Sequence, residues 1–330
     1  MKKSVFAGSL LCATLAACGG DGGSPPPPIS IAPTPTPAPS PAPAPAPAPT
    51  PAPAGFVLNA DIAYGSGTTA GGSIALLLDV YRPQLACDAP RPTVVFVHGG
   101  GFTGGSRKGT NVEAIGQELT RRGINLLSIS YRLQGDNPVI SSEFAAFERD
   151  FQALNTSSSP AQITAFSAAV EDAVRALRWA VSNAGTYCID PDRFGVWGGS
   201  AGAITAMHVA YSLDEYAIPR PPVRVAVDYW GALLRVSDLE IGEPPLFVLH
   251  GTADATVAYS SALAITGQAQ TVGVPFTFYS ITGGGHGFDG TGFFSLTVDG
   301  QSIAAKTATF VDAHMRVGGQ PVYERRDIPR

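Results

Sequence analysis

Charge is scarce in this sequence. Only 14% of its 330 residues are Asp, Glu, Lys or Arg, and no basic run in the body of the chain exceeds the pairs Arg121-Arg122 and Arg325-Arg326. The formal net charge of -5 becomes more negative once Lys2 and Lys3 are removed, so a phosphate backbone finds no electrostatic footprint and nucleic acid is excluded as a partner. A glycine loop beginning at Gly99 lacks the G-x-x-x-x-G-K-[ST] pattern of phosphate binding, since Lys108 comes too late. No apolar run is long enough to span a bilayer as a helix, Val5 to Ala17 included. Internal repeats are lacking too. What is plentiful is apolar side chain, at 45%, which is ample for a buried core.

Most of the 29 prolines fall between Pro25 and Pro53, and this uneven use divides the chain. Residues 1–17 read as an export signal, with Lys2 and Lys3 followed by a short apolar stretch. Leu15-Ala16-Ala17-Cys18 resembles a bacterial lipobox, which implies cleavage before Cys18 and acylation of that cysteine. Gly19 follows rather than Asp, and in a Gram-negative cell the resemblance implies sorting to the outer membrane. Residues 18–54 alternate Pro with Ala, Thr and Ser, a composition that buries no core and favours polyproline II, so they read as a spacer between membrane and domain.

Residues 55–330 read as one domain. Apolar runs of strand length recur at Ile74 to Tyr81, Thr93 to His98, Ile124 to Ser130, Arg193 to Trp197, Val223 to Tyr229, Pro245 to His250 and Pro275 to Ile281. Helical stretches separate them. The clearest runs from Ser167 to Asn183, with Val170, Ala173, Val174, Leu177 and Val181 on one stripe. Continuous Val/Ile/Leu strands alternating with helices predict an α/β fold with a mostly parallel central sheet covered on both faces.

Gly198-Gly199-Ser200-Ala201-Gly202 matches G-x-S-x-G. Alone the match is weak, but the strand before it and the helix-forming Ala201 to Tyr211 after it supply the strand, turn and helix of a nucleophile elbow. Upstream, the strand from Thr93 runs into His98-Gly99-Gly100-Gly101-Phe102. Uncovered N–H groups of Gly100 and Gly101, with that of Ala201, are candidates to hold a tetrahedral oxyanion. A nucleophilic serine needs a base and the base an orienting carboxylate. Asp254 lies just past one buried strand and His286 just past the next, both at the C-terminal edge where open α/β sheets bind ligands. Asp238 and Asp289 are fallback carboxylates. His98, His208, His250 and His314 read as structural. Nothing in the constellation calls for a cofactor or metal.

Together His98 to Phe102, Gly198 to Gly202, Asp254 and His286 resemble the carboxylesterase and hormone-sensitive-lipase-like branch of the α/β-hydrolases. Leu78-Asp79-Val80-Tyr81-Arg82-Pro83 and Ser130-Tyr131-Arg132-Leu133 match that branch as well. The departure is Gly199, where the lipase-like group usually carries Asp; this favours the looser set of bacterial esterases that includes feruloyl and acetyl esterases. The resemblance implies hydrolysis of a short-acyl or aryl-acyl ester, small or polysaccharide-linked. It also implies that the strands preceded by Cys87 and Cys188 are neighbours, so that these two cysteines form a disulfide at the edge opposite the site. Residues 134–166, rich in Phe, are a candidate partial cap, and Phe102 and Trp230 are candidate pocket walls. A serine peptidase on the same fold, or a silent binding protein at the cell surface, are the alternatives.

Overall fold

Four consecutive apolar residues, Val94 to Val97, can all be buried only if both faces of their strand are covered, and they are. Val95 and Val97 face one apolar cluster, and Val94 and Phe96 face another. The same division recurs along the sheet, with Ala226 and Val248 on the first side and Val227 and Phe247 on the second. The computed structural model describes residues 55–154, 158–288, 296–316 and 323–329. The export signal, Cys18, the spacer and Asp289 lie outside the described residues.

In chain order the elements are β1 (Phe56–Thr69), β2 (Gly72–Pro83), β3 (Arg91–Val97), α1 (Thr110–Thr120), β4 (Asn125–Ile129), α2 (Ala145–Leu154), α3 (Pro160–Ser182) and α4 (Ala184–Tyr187). There follow β5 (Ile189–Gly199), α5 (Ala201–Tyr211), β6 (Val223–Tyr229), β7 (Leu246–Gly251), α6 (Tyr259–Val272) and β8 (Phe276–Thr282). The last are β9 (Thr297–Val298), β10 (Gln301–Ser302), α7 (Ile303–Met315) and β11 (Tyr323–Pro329). Nine strands form one sheet in the order β1-β2-β4-β3-β5-β6-β7-β8-β11. Strand β2 is antiparallel to both neighbours, and every pair from β4 to β11 is parallel. Helices α3, α5 and α6 bury their apolar residues on one face, α1 and α7 on the other. The mostly parallel sheet covered on both faces is the one expected from the alternating runs, and the arrangement is the α/β-hydrolase fold that the resemblance implied.

Three features depart from the sequence reading. Helix α3 begins at Pro160, not Ser167, because Ser159 caps it by accepting the N–H of Gln162 and Pro160 sits where a missing N–H costs nothing. Val181, expected on its buried stripe, is 39% exposed, whereas Val170, Ala173, Val174 and Leu177 of that stripe are buried, and Ala169, Ala176 and Ala180 widen the face. Strands β1 and β11 carry no apolar run. Strand β1 shifts register twice against β2, which breaks its alternation, and β11 reads Tyr-Glu-Arg-Arg-Asp-Ile-Pro, a charged edge.

Two motifs now have physical reasons. Arg132, fully buried, pairs with Asp172 at 2.8 Å and Glu171 at 3.3 Å and donates to the carbonyls of Thr68 and Val139. It fastens α3 to β1 and to the segment after β4. Asp79 of β2 accepts from Arg107, whose guanidinium also donates to Ser130, so the chain after the glycine loop is tied to the sheet. At the opposite edge a disulfide joins Cys87 and Cys188 with Cα atoms 5.7 Å apart, beside the pairing of Arg91 with Ile189.

Candidate active site

Strand β5 ends at Gly199, and Ser200 turns the chain into α5 with φ 55° and ψ -124°. A non-glycine residue held there is strained, and such strain persists only where the surroundings enforce it. The enforcement is visible. A Cβ on Gly198 would lie 2.1 Å from the carbonyl carbon of Gly202, and one on Gly202 would lie 2.0 Å from the carbonyl oxygen of Val97. No other residue type lets β5, α5 and β3 approach so closely, and Ser200 N–H is held by the Tyr229 carbonyl at 2.9 Å. The side chain therefore stands at the C-terminal edge of the sheet.

The next two strands deliver the other groups. Asp254 follows β7 and His286 follows β8, and their loops are stitched together: Thr252 N–H donates to Ile281, Ala253 N–H to Gly284, and Gly283 N–H to the Thr252 hydroxyl. Asp254 Oδ2 lies 2.8 Å from His286 Nδ1, and His286 Nε2 lies 2.8 Å from Ser200 Oγ. A carboxylate only accepts, so Nδ1 carries the proton and Nε2 is left bare to accept from the Ser200 hydroxyl. Asp254 is buried, and its Oδ1 accepts the N–H groups of Thr256 and Val257 at 2.8 and 2.9 Å. His286 remains 25% exposed, open to a substrate. The structure thus brings the three sequence-predicted residues into one line.

The glycine loop after β3 is fixed from below. Tyr131 hydroxyl donates to the His98 carbonyl at 2.9 Å, the two rings stack at 4.4 Å, and burial holds the His98 imidazole below its usual range. The Gly100 carbonyl accepts the N–H groups of Thr103 and Gly104, closing a turn. Gly101 and Ala201 both line a cleft that contains Ser200. Ala201 offers a first-turn N–H of α5, one of the donors that a helix cannot satisfy internally.

That cleft, about 220 Å³, is walled by Phe102, Ile163, Phe166, Ile204, Leu234 and Val257. A second cavity of about 310 Å³ lies against Gly99 and Gly199, walled by Phe96, Tyr229 and Trp230 with Ser106, Lys108 and Asn111 among its polar groups. Of the candidate wall residues, Phe102 lines the first and Trp230 the second. Phe144, Phe147 and Phe151 of the expected cap segment are fully buried; Phe147 and Phe151 ring the His208 imidazole as core, while Phe166 and Ile163 of α3 supply the cleft wall.

The remaining candidates separate cleanly. Asp238 pairs with Arg235, away from the histidine line. His208 donates from Nδ1 to the Ile204 carbonyl and its imidazole is pushed down to about 4 by complete burial. His314 packs on Phe310. His250 is different: its Nε2 lies 3.3 Å from Asp254 Oδ2, a proximity that its place at a strand end did not disclose. Among the described residues no cluster of His, Cys, Asp and Glu could hold a metal ion.

Fold and site together define an α/β-hydrolase, and its likenesses lie among esterases. A family model described as BD-FAE matches residues 78–153 and 137–221, from β2 through α5, and ends before Asp254 and His286. Gut esterase 1 of Caenorhabditis briggsae is 30% identical over 149 residues, 44% of this chain; the chain spans 23% of the length of that relative. A truncated carbohydrate esterase from gut microbiota superimposes with TM-score 0.55 at 18% identity, covering 78% of this chain and 96% of that one. A thermophilic esterase from Thermogutta terrifontis, with butyrate bound, gives TM-score 0.55 at 19% identity, covering 78% and 92%. The same esterase phosphoramylated by tabun gives 0.54 at 21%, covering 78% and 93%.

Proposed function

We propose that the protein is a serine esterase in which Ser200 is the nucleophile, His286 the general base and acid, and Asp254 the group that orients the imidazole. The observation that carries this reading is the unbroken line Ser200–His286–Asp254, with both links at 2.8 Å, at a serine held in a strained turn. Ser200 Oγ attacks the ester carbonyl as His286 Nε2 takes its proton, and the oxyanion that forms is met by N–H groups of Gly100, Gly101 and Ala201. His286 then gives the proton to the departing alcohol, and water hydrolyses the acyl-enzyme by the same route.

The cleft at Ser200 is smaller than the roughly 300–1,000 Å³ typical of drug-sized ligand pockets, which favours a short or single-ring acyl group over a long chain. The alcohol side can be a small molecule or a polysaccharide. The proposal includes export and anchoring through acylated Cys18, with the proline-rich spacer holding the domain off a bacterial, outer, membrane. A fluorophosphonate probe tests the chemistry. Stoichiometric labelling with the adduct mapped by mass to Ser200 is expected; an unlabelled folded protein, or an adduct on another residue, contradicts it.

A further inference from the structure

His250 is the penultimate residue of β7, fully buried, four residues before Asp254. Its Nε2 faces two oxygens, the Val257 carbonyl at 2.9 Å and Asp254 Oδ2 at 3.3 Å. Both only accept, so a bare Nε2 would set its lone pair against theirs; the proton must reside there. Its Nδ1 is buried with no hydrogen-bond partner, which suits the unprotonated nitrogen of a neutral ring, and desolvation favours that neutral ring. A buried nitrogen left without a partner is a cost. A leucine would fill the space without that cost, so the ring's use lies at its other nitrogen.

Asp254 Oδ2 accepts from His286 Nδ1 at 2.8 Å and lies 3.3 Å from His250 Nε2, whose N–H is given to the Val257 carbonyl, while Oδ1 takes two backbone N–H groups. The backbone donors and Val257 carbonyl lie on the loop 254–257, and His250 lies on the strand. We infer that His250 is a positioning residue for the proposed esterase reaction: its Nε2–H, donated to the Val257 carbonyl, holds the loop 254–257 to β7 and so fixes the carboxylate at which His286 is received, whose Oδ2 lies 3.3 Å from the same nitrogen. It touches no reacting atom, and it acts through Asp254. Without it the loop loses this tie to β7, the carboxylate can shift together with its two backbone donors, and the imidazole loses its alignment as positive charge develops on it.

Three variants of the full chain separate this role from packing. His250→Gln can place an N–H near the position of Nε2, His250→Asn reaches only as far as Nδ1, and His250→Leu fills space with no donor. Steady-state hydrolysis of p-nitrophenyl acetate is read alongside thermal unfolding and the downfield proton resonance of the His286 Nδ1–H. The inference rests on the serine esterase reading, and the wild-type rate, abolished by Ser200→Ala, establishes that reading independently. Expected is a fall of about tenfold in kcat for Leu and Asn, the scale of one buried hydrogen bond. KM should be little changed and the downfield resonance broadened or lost, with Gln recovering both kcat and the resonance. If Leu fails to fold, the contrast between Gln and Asn decides. Equal kcat for Gln and Asn, or a Leu variant within about twofold of wild type, overturns the inference while leaving the esterase reading intact.

Discussion

Asp228 lies one residue before the end of β6, one strand from the nucleophile, fully buried, with Gly231 N–H donating to Oδ1 at 2.7 Å and no partner on Oδ2. Burial pushes its carboxyl up to about 7. The folded state therefore holds this proton longer than the unfolded chain, so the stability it confers is full below about pH 4 and is lost progressively as pH rises through about 7. Asp228→Asn keeps the acceptor and removes the ionisation. Urea unfolding should find the variant more stable than wild type at pH 8, by on the order of a few kcal/mol, and much closer to it at pH 4. An equal difference at the two pH values would contradict the assignment. Such residues mark the limit of legibility. Ser200, Asp254 and His286 could be read from the chain because each directly follows a buried run at a turn rich in glycine. His250 and Asp228 could not, since a lone histidine or aspartate at a strand end gains meaning only from what lies within 4 Å of it.

Two loops must meet for Asp254 to reach His286, and Gly251 is where they touch. A Cβ there would lie 2.2 Å from the Gly284 carbonyl oxygen and 2.7 Å from that of Gly285. Both are backbone atoms that cannot swing aside. Gly251→Ala should therefore push the loop after β7 from the loop after β8, lowering kcat/KM at least about tenfold and destabilising the fold by about 2 kcal/mol. Paired kinetics and denaturation check this, and a variant with wild-type turnover would show that the loops do not need that contact. The elements themselves were legible where burial imposed an apolar run: β2 to β8 appear within a few residues of where the runs fall. Strand β1, bulged, and β11, charged, lack the long apolar run that marks a strand, and pairing partners are not encoded in a local pattern. The start of α3 was carried by Ser159-Pro160, a cap signal masked by the serine-rich stretch before it.

The whole domain is divided by its sheet into a chemical edge and a structural edge. The disulfide between Cys87 and Cys188 closes a loop spanning 101 residues at the N-terminal edge, worth on the order of 4 kcal/mol in the chain-entropy model. Reduction should lower the unfolding temperature while kcat of the still-folded protein stays unchanged; loss of activity before unfolding would contradict the separation of edges. At the level of the cell, Cys18→Ala should move the protein from membranes to the soluble fraction, and equal partition of both forms would refute the anchor. The two features differ in how the sequence carries them. The disulfide needed the strand order, which the resemblance implied and the fold contains, whereas the leader and spacer speak through composition alone. In the proposed reaction one serine carries the chemistry. Hydrolysis of p-nitrophenyl butyrate by folded Ser200→Ala, compared with wild type, is the most direct test of that role: kcat/KM should fall by at least about a thousandfold, and retention of more than about a tenth of the wild-type value would show that Ser200 is not the nucleophile.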